Sequence, residues 1–180
     1  PSVAVMGAGA VGLTAALGLT RQGVAVTLYD AADAPGETLR AAATTSAEMK
    51  LVSRDIERIV ESGVSFVAGV EPDPDAVLDK LREDHDAVLL AVANSKDISN
   101  SAEDLPEGVF CCKIQTAGPE AIAEMVAEGW RAAREVCSQL GVGIEGIPET
   151  IHSTEERLSV PEHAIVRDIP RQETTPGSSD

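Results

Sequence analysis

The sequence has few aromatic residues and no long apolar run. Aromatic side chains make up 2% of the 180 residues, so the core must be built mainly from Ala, Val, Leu and Ile, and stacking of nucleic-acid bases on aromatic platforms is not expected. No apolar run approaches the roughly 20 residues that cross a bilayer, and no charged-then-apolar leader precedes the first predicted strand. These absences predict a cytoplasmic protein.

Positive charge is also scarce. Fourteen Lys and Arg residues face thirty Asp and Glu residues, which gives a formal net charge of -16. Such a surface repels the phosphate groups that dominate nucleic-acid affinity, so neither nucleic acid nor an anionic membrane is an expected partner. Two interpretations remain open, an acidic surface that is simply solvated and an acidic surface that meets a basic partner subunit.

Cysteine and histidine are too few and too scattered for a metal site. Cys111, Cys112 and Cys137 provide neither a disulfide framework nor paired C-x-x-C spacing, so reduced thiols are expected. The adjacent pair is interpreted as small buried residues, with a redox pair as the alternative. The three histidines are far apart in sequence, and no metal is predicted.

Hydrophobic periodicity alternates between strands and helices along the chain. With 43% hydrophobic and 24% charged residues, the composition is typical of one globular unit. The pattern predicts an α/β fold, a Rossmann-like doubly wound parallel sheet of about five strands, and leaves residues 37–47 unassigned. Predicted strands are 2–6, 24–29, 64–67, 86–93 and 109–114, and predicted helices are 10–21, 48–61, 75–83 and 119–140.

The last forty residues differ in composition from the rest. Beyond Gly141 the chain has four prolines, scattered charges and weak apolar periodicity. The predicted organisation is therefore a dinucleotide-binding domain of the FAD/NAD type over residues 1–140 and an extended C-terminal tail over 141–180. Such a tail is seldom held by its own contacts, so it is predicted to lie along a partner subunit.

A glycine motif stands where the first strand meets the first helix. Gly7-Ala8-Gly9-Ala10-Val11-Gly12 is a G-x-G-x-x-G between these two elements, and Asp30 ends the next strand. Gly7 allows the tight turn, Gly9 lets a pyrophosphate approach the backbone, and Gly12 lets helix and strand pack closely. Asp30 is placed to bind a ribose diol and disfavours a 2′-phosphate. FAD or NAD is therefore favoured over NADP, and a relic that has lost its cofactor is the alternative.

Several stretches together resemble a known family. The segments are Val3–Leu13, Val26–Asp30, Pro35–Arg40, Asp55–Glu57 with Gly63-Val64, and Asp86–Ala91. They resemble the FAD domain of the glutamate synthase small subunit, a pattern shared with adrenodoxin reductase-like and dihydropyrimidine dehydrogenase flavin domains. Gly108–Phe110, Gly118-Pro119 and Ala127–Ala133 resemble the closing strand and helix of that domain, so the likeness covers about residues 2–140. The resemblance implies FAD as cofactor, with Arg40 and Gly118 added to the glycine motif and Asp30 as binding residues.

Departures from the family lie on the flavin side. Glu37 replaces the second of two paired glycines, and Lys113-Ile114 replaces a Gly-Asp whose carboxylate holds the ribityl chain in the family. Full-length members also carry a second nucleotide domain for NAD(P)H, where this chain has only the connector 94–108. The resemblance therefore implies that this chain is not a self-sufficient NAD(P)H reductase.

Three hypotheses follow from these observations. The leading one is a small flavoprotein-like subunit that binds FAD and relays electrons within a larger redox complex, in which iron–sulfur subunits are candidate partners and the tail is a contact. The second is a cofactor-free degenerate Rossmann subunit with a structural or assembly role. The third is an NAD-binding regulator. No catalytic residue is assigned.

Overall fold

The computed structural model describes residues 1–71, 74–92, 105–112 and 121–148. Five strands and five helices are present in these ranges. In chain order they are β1 (Ser2–Met6), α1 (Ala10–Arg21), β2 (Ala25–Tyr29), α2 (Glu37–Ala42), α3 (Ser46–Glu61), β3 (Ser65–Val67), α4 (Pro74–Asp84), β4 (Ala87–Leu90), β5 (Val109–Cys111) and α5 (Ile122–Gln139).

The strands form one parallel sheet in the order β3-β2-β1-β4-β5. The chain leaves β1 toward β2 and β3 on one side and returns to β4 and β5 on the other. The strand order therefore reverses at β1, and open α/β sheets bind ligands outside the carboxyl ends of their strands at such a point. The doubly wound sheet predicted from the sequence is confirmed.

Some predicted boundaries are wrong. The predicted strands 86–93 and 109–114 are shorter, because β4 ends at Leu90 and β5 at Cys111, and residues 93–104 and 113–120 lie outside the described part of the chain. Helix α2 was not predicted. None of its six residues is buried, so the sequence there has no apolar periodicity to indicate a helix.

Helix α1 is enclosed between the sheet and α5. Val5, Leu13, Leu19, Leu28 and Leu89 are no more than 2% exposed in the cluster on this face of the sheet, and Val136 and Cys137 of α5 are fully buried there. A smaller cluster with Met6, Leu81 and Leu90 covers the opposite face under α4. Two buried layers on one parallel sheet explain why β1 and β4 are apolar at nearly every position.

The first turn of helix α1 also lies very close to the end of β1. A Cβ atom added to Gly12 would lie 1.8 Å from the carbonyl oxygen of Gly7. A backbone oxygen of the neighbouring turn cannot move aside as a flexible side chain could. Glycine at this position is therefore required by helix–strand packing, as the sequence predicted.

The cysteines are packed side chains and do not form a disulfide. All three are free thiols, with Cys112 and Cys137 buried in the core and Cys111 half-buried. Burial raises the pKa of the Cys112 thiol strongly and that of Cys137 as well, so both remain protonated near neutral pH. Of the adjacent pair that the sequence predicts to be small buried residues, Cys112 is buried and Cys111 is half-buried.

The beginning of the predicted tail packs on the domain. Ile147 is 4% exposed in the core, and its carbonyl oxygen accepts a hydrogen bond from the Arg134 guanidinium at 3.1 Å. The carbonyl oxygen of Glu145 accepts a second one from Gln22 Nε2 at 2.7 Å. Residues 149–180 lie outside the described ranges, so the partner-contacting tail stays a prediction.

Within residues 1–71, 74–92, 105–112 and 121–148, no helix is both long and apolar enough to cross a bilayer.

The close approach of α1 to β1 predicts that Gly12→Ala is severely destabilising. Because the backbone itself must move, we expect the free energy of unfolding to fall by about 3 kcal/mol or more. Urea unfolding followed by far-UV circular dichroism measures this. Gly9→Ala is the matched control, since its Cβ would be 3.8 Å from the nearest non-neighbouring atom and N-cap Gly→Ala costs about 1 kcal/mol. Equal midpoints for the two variants would contradict the packing argument.

Candidate functional site

The loop between β1 and α1 is a tight turn held between the ends of two other strands. Gly7 has φ +105°, and its N–H donates to the Tyr29 carbonyl oxygen at 2.7 Å. On the other side, a Cβ on Gly7 would lie 2.6 Å from the carbonyl oxygen of Ala91. The turn therefore sits at the carboxyl end of β1, with β2 and β4 on either side.

Gly9 leaves the beginning of α1 open. It occupies the N-cap position with extended backbone, and no side chain caps the helix there. The first-turn N–H groups of Ala10, Val11 and Gly12 have no acceptor within the helix, and the positive end of the helix dipole lies at the same place. A helix end of this kind is suited to a phosphate group, and the missing Cβ of Gly9 gives that group room.

The Asp30 carboxylate is joined directly to the glycine turn. The N–H of Ala8 donates to Asp30 Oδ2 at 2.6 Å, and the N–H of Ala32 donates to Oδ1 at 2.9 Å. Both bonds fix the orientation of the side chain at the end of β2. Each carboxylate oxygen keeps acceptor capacity for a further donor, such as a ribose hydroxyl.

The segment after β2 folds back over the turn. The Gly36 N–H donates to the Ala8 carbonyl oxygen at 2.9 Å, and Gly36 has φ +73°. A Cβ there would lie 2.3 Å from Ile56 Cδ1 on α3, and the positive φ would strain any other residue, so both effects favour glycine between the turn and α3. The Arg40 guanidinium donates to the Pro35 carbonyl oxygen and ties α2 to this segment.

The structure brings most of the predicted site residues together. Gly7–Gly12 and Asp30 lie together at the carboxyl ends of β1 and β2, where the N–H of Ala8 donates to the Asp30 carboxylate. Arg40 is on α2, with its guanidinium bonded to the backbone, and Glu37 is exposed in the first turn of the same helix. Gly118 and Lys113-Ile114 lie outside the described residues, so any contact of theirs with a cofactor stays a prediction.

Sequence reasoning missed two residues near the turn. Gly36 received no role of its own, although it is buried and bonded to Ala8. Thr38 was also missed, although its hydroxyl lies beside Gly9. The available signal was the order of a glycine and a hydroxyl residue shortly after Asp30. Because α2 was not predicted, the sequence did not show that either residue lies close to the turn.

A cavity of about 440 Å³ lies beside the first turns of α1 and α5. Its walls are mainly apolar side chains from α1, α2, α3 and α5, among them Leu13, Leu39, Ile56 and Val126. Glu48, on its wall, accepts hydrogen bonds from the hydroxyl and N–H of Thr44 and the N–H of Thr45, and the Thr44 bonds chiefly lower its pKa. This apolar lining does not suit a pyrophosphate, which fits the glycine turn instead.

In the described part of the chain, no cluster of three or more His, Cys, Asp or Glu residues could hold a metal ion. The site is therefore characterised by backbone N–H groups at a helix end, an open glycine and one carboxylate. This combination defines a dinucleotide-binding domain of the Rossmann type. It fits the pyrophosphate and adenosine ribose that FAD and NAD share.

The family comparison distinguishes between these dinucleotides. A family model described as FAD dependent oxidoreductase matches residues 2–150. The chain belongs to this FAD dependent oxidoreductase family. FAD is therefore the cofactor that the family assigns, as the sequence resemblance implied.

The chain is also similar to part of several curated proteins and to a solved structure. The glutamate synthase (NADPH) small chain of Mycobacterium tuberculosis is 38% identical over 91 residues, which is 50% of this chain and 19% of that protein. The NAD-dependent dihydropyrimidine dehydrogenase subunit PreT of Salmonella typhimurium is 35% identical over 94 residues, 52% of this chain and 23% of that protein. This chain thus spans about a fifth of the length of these curated relatives. The crystal structure of Thermovibrio ammonificans THI4 shares the fold, with a TM-score of 0.54 and 13% identity over 78% of this chain and 90% of that one.

The resemblance to the glutamate synthase small subunit is therefore confirmed. The chain is an FAD-dependent oxidoreductase domain similar to that subunit.

The position of Asp30 predicts a structural role that exists before any ligand binds. Asp30→Asn replaces one of two accepting oxygens by an NH2 group, which faces a backbone N–H at 2.6–2.9 Å. We expect the free energy of unfolding of the FAD-free protein to fall by about 1–3 kcal/mol. Urea unfolding measures this loss, with the exposed Asp33→Asn as control. If both variants unfolded at the same urea concentration as the parent, the hydrogen bonds to Ala8 and Ala32 would not stabilise the turn.

Proposed function

We propose that this chain is the FAD-carrying part of a larger redox assembly and that it holds FAD by its ADP half at the glycine turn. The observation that carries the proposal is the hydrogen bond from the Ala8 N–H to the Asp30 carboxylate. It places a carboxylate beside a helix end that no side chain caps. When bound, FAD would supply an isoalloxazine ring that accepts and donates electrons.

The glycine turn would bind the pyrophosphate. The N–H groups at the start of α1 donate to phosphate oxygens, and Gly9 lets those oxygens approach the backbone. The helix dipole adds a favourable interaction with negative charge within the first turn. No Lys or Arg side chain is needed for this contact, which is consistent with a strongly acidic chain.

Asp30 would select the ribose. Its oxygens accept hydrogen bonds from the 2′- and 3′-hydroxyl groups, whereas a 2′-phosphate would meet a like charge. Because the N–H groups of Ala8 and Ala32 already orient the carboxylate, little side-chain freedom is lost on binding. The site therefore favours FAD or NAD over NADP.

This chain departs from the family on the flavin side of the cofactor. Glu37 is exposed on α2 where the family has glycine, and the replaced family Gly-Asp at Lys113-Ile114 belongs to the segment outside the described residues. Loss of one charge-assisted hydrogen bond costs about 1.5–3 kcal/mol, or roughly ten- to a hundredfold in affinity. The ADP half would therefore contribute most of the binding energy.

Partners belong to the proposal as well. The relatives are named as a small chain and as a subunit, and this chain matches only a part of each. We propose that its electrons are exchanged with other subunits, including iron–sulfur subunits, and that the tail 141–180 contributes to the contact beyond Ile147. A partner with a basic surface would complement the net charge of -16.

A second candidate function has a specific observation in its favour. The Gly7 N–H donates to Tyr29, the Ala8 N–H donates to Asp30, and the Gly36 N–H donates to Ala8, so protein contacts alone order the turn. A Rossmann subunit of this kind could serve in assembly without a cofactor. The two functions differ in whether the folded chain binds FAD.

The proposal predicts that the folded protein binds FAD with one equivalent per chain. Visible absorption after removal of unbound FAD, with identification of the nucleotide released by heat, measures this. Gly9→Ala should weaken binding at least about tenfold because a methyl group occupies the phosphate position, while circular dichroism stays unchanged. A folded protein that stays colourless after incubation with FAD would support the assembly role. Stabilisation by NAD and not by FAD in a thermal scan would indicate an NAD-binding regulator.

Among the described residues, the glycine motif between β1 and α1 is the only G-x-G-x-x-G that joins a strand to a helix, so we expect the electrons to come from another subunit. FAD bound to this chain should keep its visible absorption when NADPH or NADH is added without oxygen, and should lose it when dithionite is added. Dithionite serves as the positive control because it needs no binding site. Rapid bleaching by NADPH would show that this chain accepts hydride by itself, and the subunit proposal would then be wrong.

A further inference from the structure

The apolar cavity beside the first turns of α1 and α5 has no role in the proposed binding of the ADP half of FAD. Its walls come from four helices, and of the glycine motif only Ala10 borders it. Its volume of about 440 Å³ lies within the usual range of small-molecule sites, about 300–1,000 Å³. Such a cavity suits a ligand with an apolar body, and the polar groups on its walls determine the class of that ligand.

The inner wall of the cavity contains an unpaired hydroxyl group. Among the described residues Thr14 is the one buried polar side chain, 8% exposed, and it lines the cavity. Its methyl side faces α5, because a Cβ on Gly129 would lie 2.7 Å from Thr14 Cβ and 3.1 Å from Cγ2. The hydroxyl of Thr20, on the same helix, donates to the Ala16 carbonyl oxygen, whereas that of Thr14 has no partner in the described part of the chain. Because an unpaired buried hydroxyl costs free energy, a ligand group that pairs with it is favoured.

A carboxylate with a free oxygen lies at the mouth of the cavity. Glu48 is exposed on the cavity wall, and its Oε2 accepts three hydrogen bonds from Thr44 and Thr45. These bonds, chiefly the one from the Thr44 hydroxyl, lower the pKa of Glu48, so the group is ionised near neutral pH. Within the described ranges Oε1 has no partner and can accept from a cation. Asp55, the other carboxylate on the wall, is already paired with arginine side chains of α3.

We propose that this cavity is a second ligand site, for a small organic cation with an apolar body, in which Glu48 binds the cationic group and Thr14 binds a hydroxyl group at the inner end of the ligand. Apolar side chains of the wall, among them Leu13, Val52 and Val126, would surround the body. The net charge of -16 attracts cations toward the mouth. The proposal does not depend on the binding of FAD.

Three probes of similar shape test the two polar contacts separately. Tyramine has an ammonium group and a phenol hydroxyl, 4-ethylphenol lacks the ammonium group, and 2-phenylethylamine lacks the hydroxyl. Amide shifts in NMR titrations of the full, FAD-free chain near neutral pH give the three dissociation constants. We expect tyramine to bind most tightly and each analogue to bind about three- to tenfold more weakly. The shifts should fall on residues that line the cavity.

Two conservative variants assign the contacts to residues. Glu48→Gln removes the charge and keeps a side chain that can cap α3, so it should weaken both ammonium probes about three- to tenfold and leave 4-ethylphenol within about twofold. Thr14→Val keeps the branched shape and removes the hydroxyl, so it should weaken both phenols and leave 2-phenylethylamine within about twofold. Glu57→Gln is the matched control, because Glu57 is exposed on α3 and does not line the cavity. Circular dichroism of each variant shows that it folds.

Each other result overturns a defined part of the proposal. If the parent binds none of the probes, or binds all three equally, the cavity is not a site for an organic cation. If Glu48→Gln loses no more affinity than Glu57→Gln, or Thr14→Val weakens no probe, the assignment of that residue is wrong. If saturating FAD displaces tyramine and ADP does not, the cavity belongs to the flavin half of the dinucleotide site and is not a second site. Because the titrations use FAD-free protein, a failure of FAD to bind would leave this proposal standing.

Discussion

The carboxylate of Asp30 accepts hydrogen bonds from the N–H groups of Ala8 and Ala32, and this side chain connects the end of β2 to the turn between β1 and α1. The same turn is bonded to Tyr29 and Gly36, and α1 follows it so closely that Gly12 has no room for a Cβ. Together these contacts place an uncapped helix end, an open glycine and a carboxylate at the point where the strand order reverses. Because the candidate site is built from the elements that also hold the fold together, changes to it affect stability and binding at the same time.

Much of this arrangement could be predicted from the sequence. Apolar periodicity predicts the bounds of β1 and α1 and the parallel sheet, and the spacing from the glycine motif predicts the place of Asp30. These features could be predicted because their signals are local in the sequence. The ends of β4 and β5 were less predictable, since apolar runs continue beyond the residues that pair in the sheet. Helix α2 and the position of Thr38 depend on Gly36 fitting between the turn and Ile56, a tertiary contact that leaves no periodic pattern. The packing of Ile147 on α5 was missed for the same reason, because the surrounding sequence reads as a tail.

Membership of the FAD dependent oxidoreductase family and the geometry of the turn support each other on the ADP side of the cofactor. In the proposed function, backbone N–H groups bind the pyrophosphate and Asp30 accepts hydrogen bonds from the ribose hydroxyl groups. A partner with a basic surface would complement the acidic surface of this chain. A binding site made of backbone groups tolerates wide variation in surrounding side chains. This explains how a chain with so few basic residues, and with Glu37 in place of a glycine, can keep the turn intact.

The most direct measurement of the central claim is an amide-resolved NMR titration of the folded chain with FAD. At 18.7 kDa the chain is small enough for such spectra. The account predicts that the largest shifts fall on the amides of Gly9, Ala10, Val11 and Gly12, with smaller ones at Ala8 and Ala32, because the pyrophosphate and ribose bind there. Saturable FAD binding with these amides unchanged, or with the shifts concentrated around the apolar cavity, would contradict it.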